Sequence, residues 1–233
     1  MSVWMRQDRP RRGNPPLTRE RIVEAAVAFL DEEGHERLTM RRLAERLGTG
    51  ATTLYWHVDT KDDVLDLALD AIFGEARIPA GEAGWRDDVR ALIGEWRAAM
   101  LRHPWSAALL DRPLLGPNVL ARTEFMYATL VRAGFRGPRL TAAAAGLSNY
   151  VIGAALMEGG GHTRKAADTA DAADRAAGEL VRRRRDLYPN LAEHGHPGGE
   201  DREAAFEQGL TYLLDGMAPY VSGGGSPSRP GTA

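Results

Sequence analysis

Five hydrogen-bonding side chains crowd a stretch of ten residues early in the chain: Thr52, Thr53, Tyr55, His57 and Lys61. Phenol, imidazole and ammonium groups donate hydrogen bonds to phosphate oxygens. A threonine at the start of a helix can touch a base edge or a thymine methyl group. Between these polar groups, only Leu54 and Val58 are plain core residues. This chemistry suits contact with the surface of a DNA duplex.

Two short helices joined by a tight turn are predicted to position these groups. The first helix has apolar residues at i, i+3, i+4 and i+7, which share one face: Met40, Leu43, Ala44 and Leu47. Thr39 can cap its N-terminus, and Gly48 can end it in a left-handed conformation. Gly50 allows a second reversal, so a second helix can start at Ala51 or Thr52. The sequence therefore predicts a helix-turn-helix at about residues 39–58, whose second helix enters the major groove of DNA.

The run from Thr18 to Ile72 resembles the DNA-binding domain of the tetracycline-repressor (TetR) family. The string LAERLG, a four-residue turn, the string TLYWHV (residues 53–58) and the following Lys61 carry the resemblance. It implies an all-α fold, with an N-terminal three-helix helix-turn-helix DNA-binding domain and a C-terminal helical domain for ligand binding and dimerisation. It also implies DNA contacts by these residues: Arg41, Gly50, Ala51, Thr52, Thr53, Tyr55, His57 and Lys61.

The role of each residue in that surface is assigned from its position in the motif and from what its side chain could contact on DNA. Thr52 and Thr53 are expected at the base edges, while Tyr55, His57 and Lys61 contact phosphates. Arg41 matches a family position that reaches base or backbone. Gly50 and Ala51 stand where tetracycline-binding members of the family have longer polar side chains. The operator sequence of those members therefore does not carry over to this protein. Trp56 is expected to pack against the first helix as a core residue.

The composition is that of an ordinary globular protein, with 233 residues, 43% of them hydrophobic and 27% charged. The absence of cysteine excludes disulfides, thiolate chemistry and cysteine-based zinc sites. No wholly apolar run approaches the roughly 18 residues of a membrane helix, and the N-terminus lacks a secretory apolar region. A cytoplasmic protein without a membrane partner is expected. Residues 1–61 hold 11 Lys and Arg against 9 Asp and Glu, which permits phosphate contact without arguing for it.

Composition shifts divide the chain into segments. Residues 1–16 alternate arginine with proline and are expected to be a disordered basic arm, either a solvated tail or a segment lying along phosphates. The DNA-binding domain is assigned to residues 17–76. A break rich in glycine and proline at residues 77–85 precedes the second domain, residues 85–220. The tail at 221–233 is expected to be disordered.

Long helices are predicted in the second domain at Trp85 to His103, Leu120 to Ala133, Leu140 to Glu158 and Glu203 to Met217. In residues 159–200 the sequence pattern predicts helix only weakly. The run of arginines at 182–185 is expected to lie on a solvent-exposed helix face. The resemblance implies that the helices at about 140–158 and 203–217 pair with their symmetry mates as the four-helix bundle of a homodimer.

Large apolar side chains with a few polar ones among them suggest a small-molecule site in the second domain. Through the resemblance, the candidate lining residues are Trp85, Trp96, Met100, His103, Trp105, Leu109, Leu114, Asn118, Phe125, Asn149, Tyr150 and Met157. Plain core packing is the alternative for each residue taken singly.

A metal-dependent effector is not expected. The resemblance places Leu92, Leu110 and Met157 where tetracycline-binding members use an asparagine, a histidine and a glutamate for the drug and its magnesium. Hard cations prefer oxygen ligands, which these side chains lack. Glu158 is one residue further on and would point about 100° away round the helix. We therefore expect a bulky, partly aromatic effector, with neither metal nor cofactor.

These patterns predict a ligand-responsive regulator that binds a palindromic operator in double-stranded DNA, most simply as a homodimeric repressor. An activator of the same fold and a helical adaptor without DNA binding remain alternatives. An enzyme is disfavoured, because no GxSxG, P-loop or GxGxxG motif is present. A crude metal-like cluster around Glu193, His194, His196 and Asp201 lies in a loop without a fixed scaffold.

Overall fold

The computed structural model describes residues 17–110, 112–159, 164–195 and 202–221. Within those ranges the secondary structure is helical throughout, without a strand. The α-helices are α1 (Arg19–Glu33), α2 (Met40–Arg46), α3 (Ala51–Leu54), α4 (Lys61–Glu75), α5 (Trp85–Arg102), α6 (Pro117–Ala133), α7 (Gly137–Gly159), α8 (Arg164–Arg183), α9 (Pro189–His194) and α10 (Arg202–Met217). Short 3-10 turns lie at His35–Arg37, Pro104–Leu109 and Ala218–Tyr220. The basic arm and most of the C-terminal tail lie outside the described residues.

Local sequence chemistry sets the helix ends in the N-terminal part. The hydroxyl of Thr18 accepts a hydrogen bond from the backbone N–H of Arg21, and that of Thr39 accepts one from Arg42. Both caps satisfy N–H groups that a first helical turn leaves unpaired. Gly48 has a φ of 65°, which an L side chain rarely adopts. The predicted cap at Thr39 and the predicted turn between α2 and α3 are confirmed.

The helix α4 lies between the N-terminal bundle and the rest of the protein. It packs against α1 on one side and against α5 and α6 on the other. Eight of its fifteen residues are buried, including Asp70. Because both faces of α4 are covered, a displacement of α5 or α6 must act on α4 and through it on α1.

In the second part of the chain α5, α6 and α7 pack together, and α10 packs on α7. The buried side of α7 carries Ala143, Leu147, Val151 and Ala155 at intervals of four residues. By length and composition alone α7 is apolar enough to cross a membrane, which is also true of core helices in soluble proteins. Only 28% of its most apolar window is buried, so an extensive apolar side of α7 faces outwards.

Three predicted elements differ from the structure. The second helix of the motif predicted at about residues 39–58 is the four-residue α3, which ends at Leu54 and is followed by a turn at 55–57. The weak helix expected after residue 159 is the 20-residue α8. Helix α6 starts at Pro117 rather than Leu120, because proline at the first helical position has no N–H to lose.

Candidate nucleic-acid interface and effector site

The α3 segment stands on a small apolar base. Leu54 and Val58 are fully buried, and the carbonyl of Gly50 accepts hydrogen bonds from the backbone N–H groups of Thr53 and Leu54. With that side anchored, Thr52 and Thr53 are exposed on the other side. The structure therefore presents two hydroxyl groups and the ends of a helical turn to solvent.

Tyr55 and His57 lie in the turn that follows α3. The Tyr55 side chain is 49% exposed, and His57 is half-buried. Trp56 between them is also 49% exposed, so its assignment to the core is wrong. The helix ends at Leu54, and the turn at 55–57 carries Trp56 away from the face that Leu54 and Val58 bury.

The two cationic residues of the predicted surface differ in freedom. The Arg41 side chain is 87% exposed, and its Nε donates to Glu45 Oε1 at 2.9 Å, one turn further along α2. The Lys61 ammonium donates to the carbonyl oxygen of His35 at 3.0 Å. An ammonium has three donors, so this bond fixes the start of α4 against the end of α1 and leaves capacity for a phosphate.

Ion pairs hold α2 onto α1 beneath this surface. Both Arg46 Nη atoms donate to the Glu32 carboxylate at 2.6 Å, whereas Arg42 contacts both oxygens of Glu33 through one atom, Nη2, at 2.8 and 2.6 Å. The hydrogen bonds from Arg46 lower the pKa of Glu32 below its ordinary value. Two parallel N–H···O bonds fix orientation as well as distance, so α2 is oriented on α1.

The predicted effector residues fall into three groups by burial. Trp96, Met100, His103, Trp105 and Leu109 are buried. Five more are half-buried: Trp85, Leu114, Asn118, Phe125 and Tyr150. The last two, Asn149 and Met157, are exposed, Met157 by 75%.

Asn149 and Met157 lie on the outward side of α7 in the single chain. Each lies two residues beyond a buried residue of α7, Leu147 and Ala155. Two residues correspond to about 200° round a helix, so both side chains face away from α5 and α6.

Two polar side chains of the candidate lining, His103 and Asn118, are engaged within the protein. His103 Nδ1 lies 2.8 Å from Asp31 Oδ1, and its Nε2 lies 3.1 Å from Glu75 Oε1. The indole N–H of Trp105 donates to the same Asp31 oxygen at 2.7 Å. This cluster joins the end of α1, the end of α4 and the turn after α5.

A second polar junction joins α4 to α6. The Asp70 carboxylate, 4% exposed, accepts from the backbone N–H groups of Asn118 and Val119 and from Asn118 Nδ2. Asp70 therefore caps the N-terminus of α6 from the middle of α4. A side chain at Gly116 would overlap with Asp70, so glycine allows this approach.

Arg122 makes the reverse connection. Its guanidinium donates to the carbonyl oxygens of Gly74 at 2.6 Å and Ala76 at 2.7 Å, at the end of α4. Burial lowers the pKa of Arg122, an effect that the nearby Asp70 carboxylate opposes. Helix α4 thus supplies Asp70 to the start of α6, and α6 supplies Arg122 to the end of α4. In the loop before α6, Arg112 also contacts Asp62 and Asp66 of α4.

Glu158 is the carboxylate next to Met157, the position at which tetracycline-binding members carry a metal-binding glutamate. This carboxylate is already engaged in an ion pair. Arg97 donates to both of its oxygens, at 3.1 and 2.7 Å, and pairs with Glu203 of α10. Burial disfavours the charged guanidinium, but the two carboxylates outweigh it and raise the pKa of Arg97. In the part of the chain that the structure describes, no group of three or more His, Cys, Asp or Glu side chains is arranged so that it could hold a metal ion.

Two buried polar atoms of the second domain have no hydrogen-bond partner among the described residues. They are Trp96 Nε1 on α5 and the Ser106 hydroxyl in the turn at 104–109. Ser106 is fully buried and Trp96 is 5% exposed. The sequence reasoning missed Ser106, although a lone hydroxyl in the apolar stretch WSAAL was the available signal.

Comparisons with known proteins agree along most of the chain. Residues 22–68 match the family profile of bacterial regulatory proteins of the tetR family, and residues 78–221 match that of the tetracyclin repressor-like C-terminal domain. An HTH-type transcriptional regulator of Saccharopolyspora erythraea is 50% identical over 220 residues, which are 93% of this chain and 91% of that protein.

Two further relatives carry more specific descriptions. The HTH-type transcriptional repressor DrrR1 of Streptomyces coeruleorubidus is 41% identical over 160 residues, 67% of this chain and 59% of that protein. The crystal structure of the Streptomyces coelicolor TetR family protein ActR, in complex with actinorhodin, has a TM-score of 0.75 and 33% identity. That likeness covers 87% of this chain and 97% of that chain.

Proposed function

The protein belongs to the TetR family of bacterial helix-turn-helix transcriptional regulators, and we propose that it is a homodimeric, cytoplasmic repressor released from a palindromic operator by a bulky aromatic molecule. The observation that carries the proposal is the α3 segment, which exposes Thr52, Thr53 and Tyr55 on a base of buried Leu54 and Val58. A repressor among the relatives supports the sign of regulation.

On the DNA side, Thr52 and Thr53 contact base edges, and Gly50 and Ala51 let the backbone approach the groove. Tyr55, His57, Lys61 and Arg41 contact phosphates, and Trp56 joins them as an exposed indole at the same turn. Phosphate contacts position the protein, whereas base contacts specify the sequence. We place the division between the DNA-binding and effector domains at residues 77–84, after α4.

On the effector side, the lining is drawn from the buried and half-buried aromatic and apolar residues of the second domain. ActR, whose structure this fold resembles, holds actinorhodin, which supports a small-molecule effector here, and the aromatic side chains of the lining favour an aromatic one. Magnesium-bound tetracycline is disfavoured, because Leu92 is fully buried and offers no oxygen, and Glu158 is paired with Arg97.

The dimer forms through α7 and α10. Their outward sides carry exposed apolar groups, with Leu156 46%, Met157 75% and Tyr212 68% exposed. Small residues of α7 such as Gly146 and Gly153 allow a second helix to approach closely. An outward apolar side of this extent is explained if a second copy covers it.

Effector and DNA are coupled through α4. DNA binding requires the two reader helices of a dimer to lie about one turn of DNA apart. An effector that prefers a different arrangement of α5 and α6 shifts the reciprocal contacts at Asp70 and Arg122 and displaces α4. The achievable effect is limited by the difference in effector affinity between the two arrangements.

Fluorescence anisotropy tests the proposal. The purified protein is titrated onto labelled DNA from upstream of its own gene and its neighbours at two salt concentrations. Tight, sequence-selective binding with a steep salt dependence is expected, together with loss of binding when an effector such as actinorhodin, the ligand of ActR, is added. If neither these fragments nor a selection from random sequences yields a motif, the proposal is refuted.

A further inference from the structure

Helix α10 fits closely against α7 at one glycine, Gly209. The side chain of Tyr150 on α7 lies against this residue. A Cβ atom at Gly209 would overlap with the phenolic oxygen and would lie 3.1 Å from Cζ. Glycine is unfavourable in the interior of a helix, and here it makes room for the tyrosine ring. The contact therefore depends on the absence of a side chain at this one position of α10.

Tyr150 makes two further contacts with α10. Its hydroxyl donates to the carbonyl oxygen of Phe206 at 2.6 Å, and the two rings are stacked with their centres 5.2 Å apart. Burial raises the pKa of Tyr150, so the phenol keeps the proton that it donates. Tyr150 is a candidate lining residue of the effector site by sequence, but in the structure its hydroxyl is bound to α10.

The Tyr150 contact selects one register of α10. The buried residues of α10 recur at intervals of four, at Phe206, Leu210 and Leu214. A shift of α10 by one turn would therefore keep an apolar side chain at each buried position. The same shift would place Ala205 or Leu213 at Tyr150, where a side chain does not fit.

Arg97 of α5 fixes the direction in which α10 starts. This side chain is buried, and it donates through Nε and Nη2 to both oxygens of Glu158, at the end of α7. Its Nη1 donates to Glu203, at the start of α10, and its guanidinium lies 4.4 Å from the centre of the Phe206 ring. Because a guanidinium is planar and binds carboxylates as a rigid fork, these bonds set an angle as well as a distance between α7 and α10.

The charged side of α10 continues along α5, in more exposed surroundings. Arg90 donates to Glu207 at 2.9 Å and to the hydroxyl of Thr211 at 3.1 Å, and Arg86 pairs with Asp215. The side chains of Arg90 and Glu207 are 35% and 43% exposed. Exposed ion pairs contribute little to stability, so the buried Arg97 has the larger influence on the position of α10.

The placement of α10 on α7 has a consequence for DNA in the proposed dimer. There, α7 and α10 pair with the same helices of a second copy. The angle between α7 and α10 in each protomer then sets the rotation of one protomer against the other. That rotation determines the separation and the facing of the two α3 segments, which must match two half-sites of the operator.

We propose that Tyr150, Gly209 and Arg97 determine which half-site spacing the dimer accepts, because they fix the register and the direction of α10 on α7. This inference rests on the proposed function and assigns part of the operator specificity to residues of the second domain. They act as positioning residues, since base readout remains with Thr52 and Thr53.

A first experiment tests the fit at Gly209 without DNA. Alanine normally stabilises the interior of a helix relative to glycine. At Gly94 of α5 a Cβ would meet no atom within 4 Å, so Gly94→Ala should raise the Tm by about 2–4 °C. Gly209→Ala should instead lower the Tm, and adding Tyr150→Phe should restore part of the loss, because it removes the overlapping oxygen. An increase in Tm for Gly209→Ala like that for Gly94→Ala would overturn the inference.

A second experiment measures the preference for spacing by fluorescence anisotropy. The probes are the operator selected from random sequences and a version with two base pairs inserted between its half-sites, which rotates one half-site by roughly 70°. The wild type should prefer the selected spacing by about tenfold or more, because twisting the DNA back costs energy. Gly209→Ala and Arg97→Lys should reduce this ratio, since lysine does not bind as a fork. Arg90→Lys is the matched control and should keep it.

The outcomes separate this inference from the proposed function. If the wild type is a monomer or selects no DNA motif, the proposed function fails, and the inference fails with it. If the wild type is a selective dimer but Gly209→Ala and Arg97→Lys keep its spacing ratio, the inference fails alone. An equal fall in the ratio for Arg90→Lys and Arg97→Lys would also overturn it. Because Arg97→Lys keeps the charge, this variant gives a result even if Gly209→Ala disturbs folding.

Discussion

Replacing Asp70 with asparagine tests the junction between α4 and α6. The substitution keeps the shape of the side chain but removes the charge that faces the N-terminus of α6. Three donors point at this carboxylate, at 2.9, 3.0 and 3.3 Å. An asparagine amide can present an oxygen to some of them, but its NH₂ group would face another donor.

The expected loss of stability can be estimated from these contacts. Hydrogen bonds to a charged group contribute about 1.5–3 kcal/mol and neutral ones about 1 kcal/mol. A charge at a partly buried helix terminus contributes up to about 2 kcal/mol. Relief of the buried charge offsets part of the sum, so we expect a net loss of roughly 2 kcal/mol. For a protein of this size that corresponds to a fall in Tm of about 4–8 °C.

Differential scanning calorimetry at fixed protein concentration measures this change, and Asp87→Asn is the matched control. Asp87 lies in the first turn of α5 but is exposed, so its replacement should cost only a few tenths of a kcal/mol. The Asp70 variant should also show a smaller effector-induced change in operator affinity, because α6 holds α4 less firmly. A Tm within about 1 °C of the wild type would refute the claim that Asp70 caps α6.

Three further predictions concern the DNA surface, the dimer and acid stability. His57→Ala should weaken DNA binding by a similar factor on all sequences, whereas Thr53→Ala should change the preference between operator variants. Fluorescence anisotropy on a panel of mutated operators checks this. If both protein variants bound DNA at low salt as tightly as the wild type does, the prediction would be contradicted. Tyr212→Asp places a charge on a side chain that is 68% exposed in the single chain, and the variant should be monomeric in light scattering. Tyr188→Asp, just before α9, is the control; a Tyr212→Asp dimer of unchanged strength would exclude this side of α10 from the interface. The pKa of Glu32 is lowered by its bonds to Arg46, so the stability that this pair contributes is present above the ordinary carboxyl range and is lost as the pH falls through the lowered pKa. The wild type should therefore be more stable than Glu32→Gln at pH 7, and this difference in the free energy of unfolding should shrink as the pH is lowered. A difference that stays constant from pH 7 to pH 3 would count against the pairing.

Much of the fold could be predicted because helix caps and buried helix faces depend on residues that are close together in the sequence. Thr18 and Thr39 cap helices in the structure as their sequence positions indicate, and the buried stripe of α1, with Ile22, Ala26, Phe29 and Leu30, is the one that helical periodicity predicts. Such signals need only a few neighbouring residues. The resemblance in residues 18–72 added the family, which the comparisons then confirmed.

The candidate site was less predictable, because a side chain's partners come from distant parts of the chain. His103 meets Asp31 and Glu75, which are 72 and 28 residues away, and Asn118 meets Asp70 across 48 residues. Nothing in the local sequence shows that these polar groups are occupied. The sequence therefore assigned them to a ligand.

The sequence by itself determined that the chain is helical and has a helix-turn-helix near residue 52, since capping, periodicity and turn glycines act within a few residues, and the family followed from the resemblance. Only the tertiary structure decided which side chains remain available. It exposed Trp56, turned Asn149 and Met157 outwards, bound His103 and Asn118 to carboxylates, and left Trp96 Nε1 and Ser106 Oγ without partners within the described chain. The physical reason is that burial and hydrogen bonding depend on the packing of whole helices against one another, and that packing brings together residues that the sequence keeps far apart.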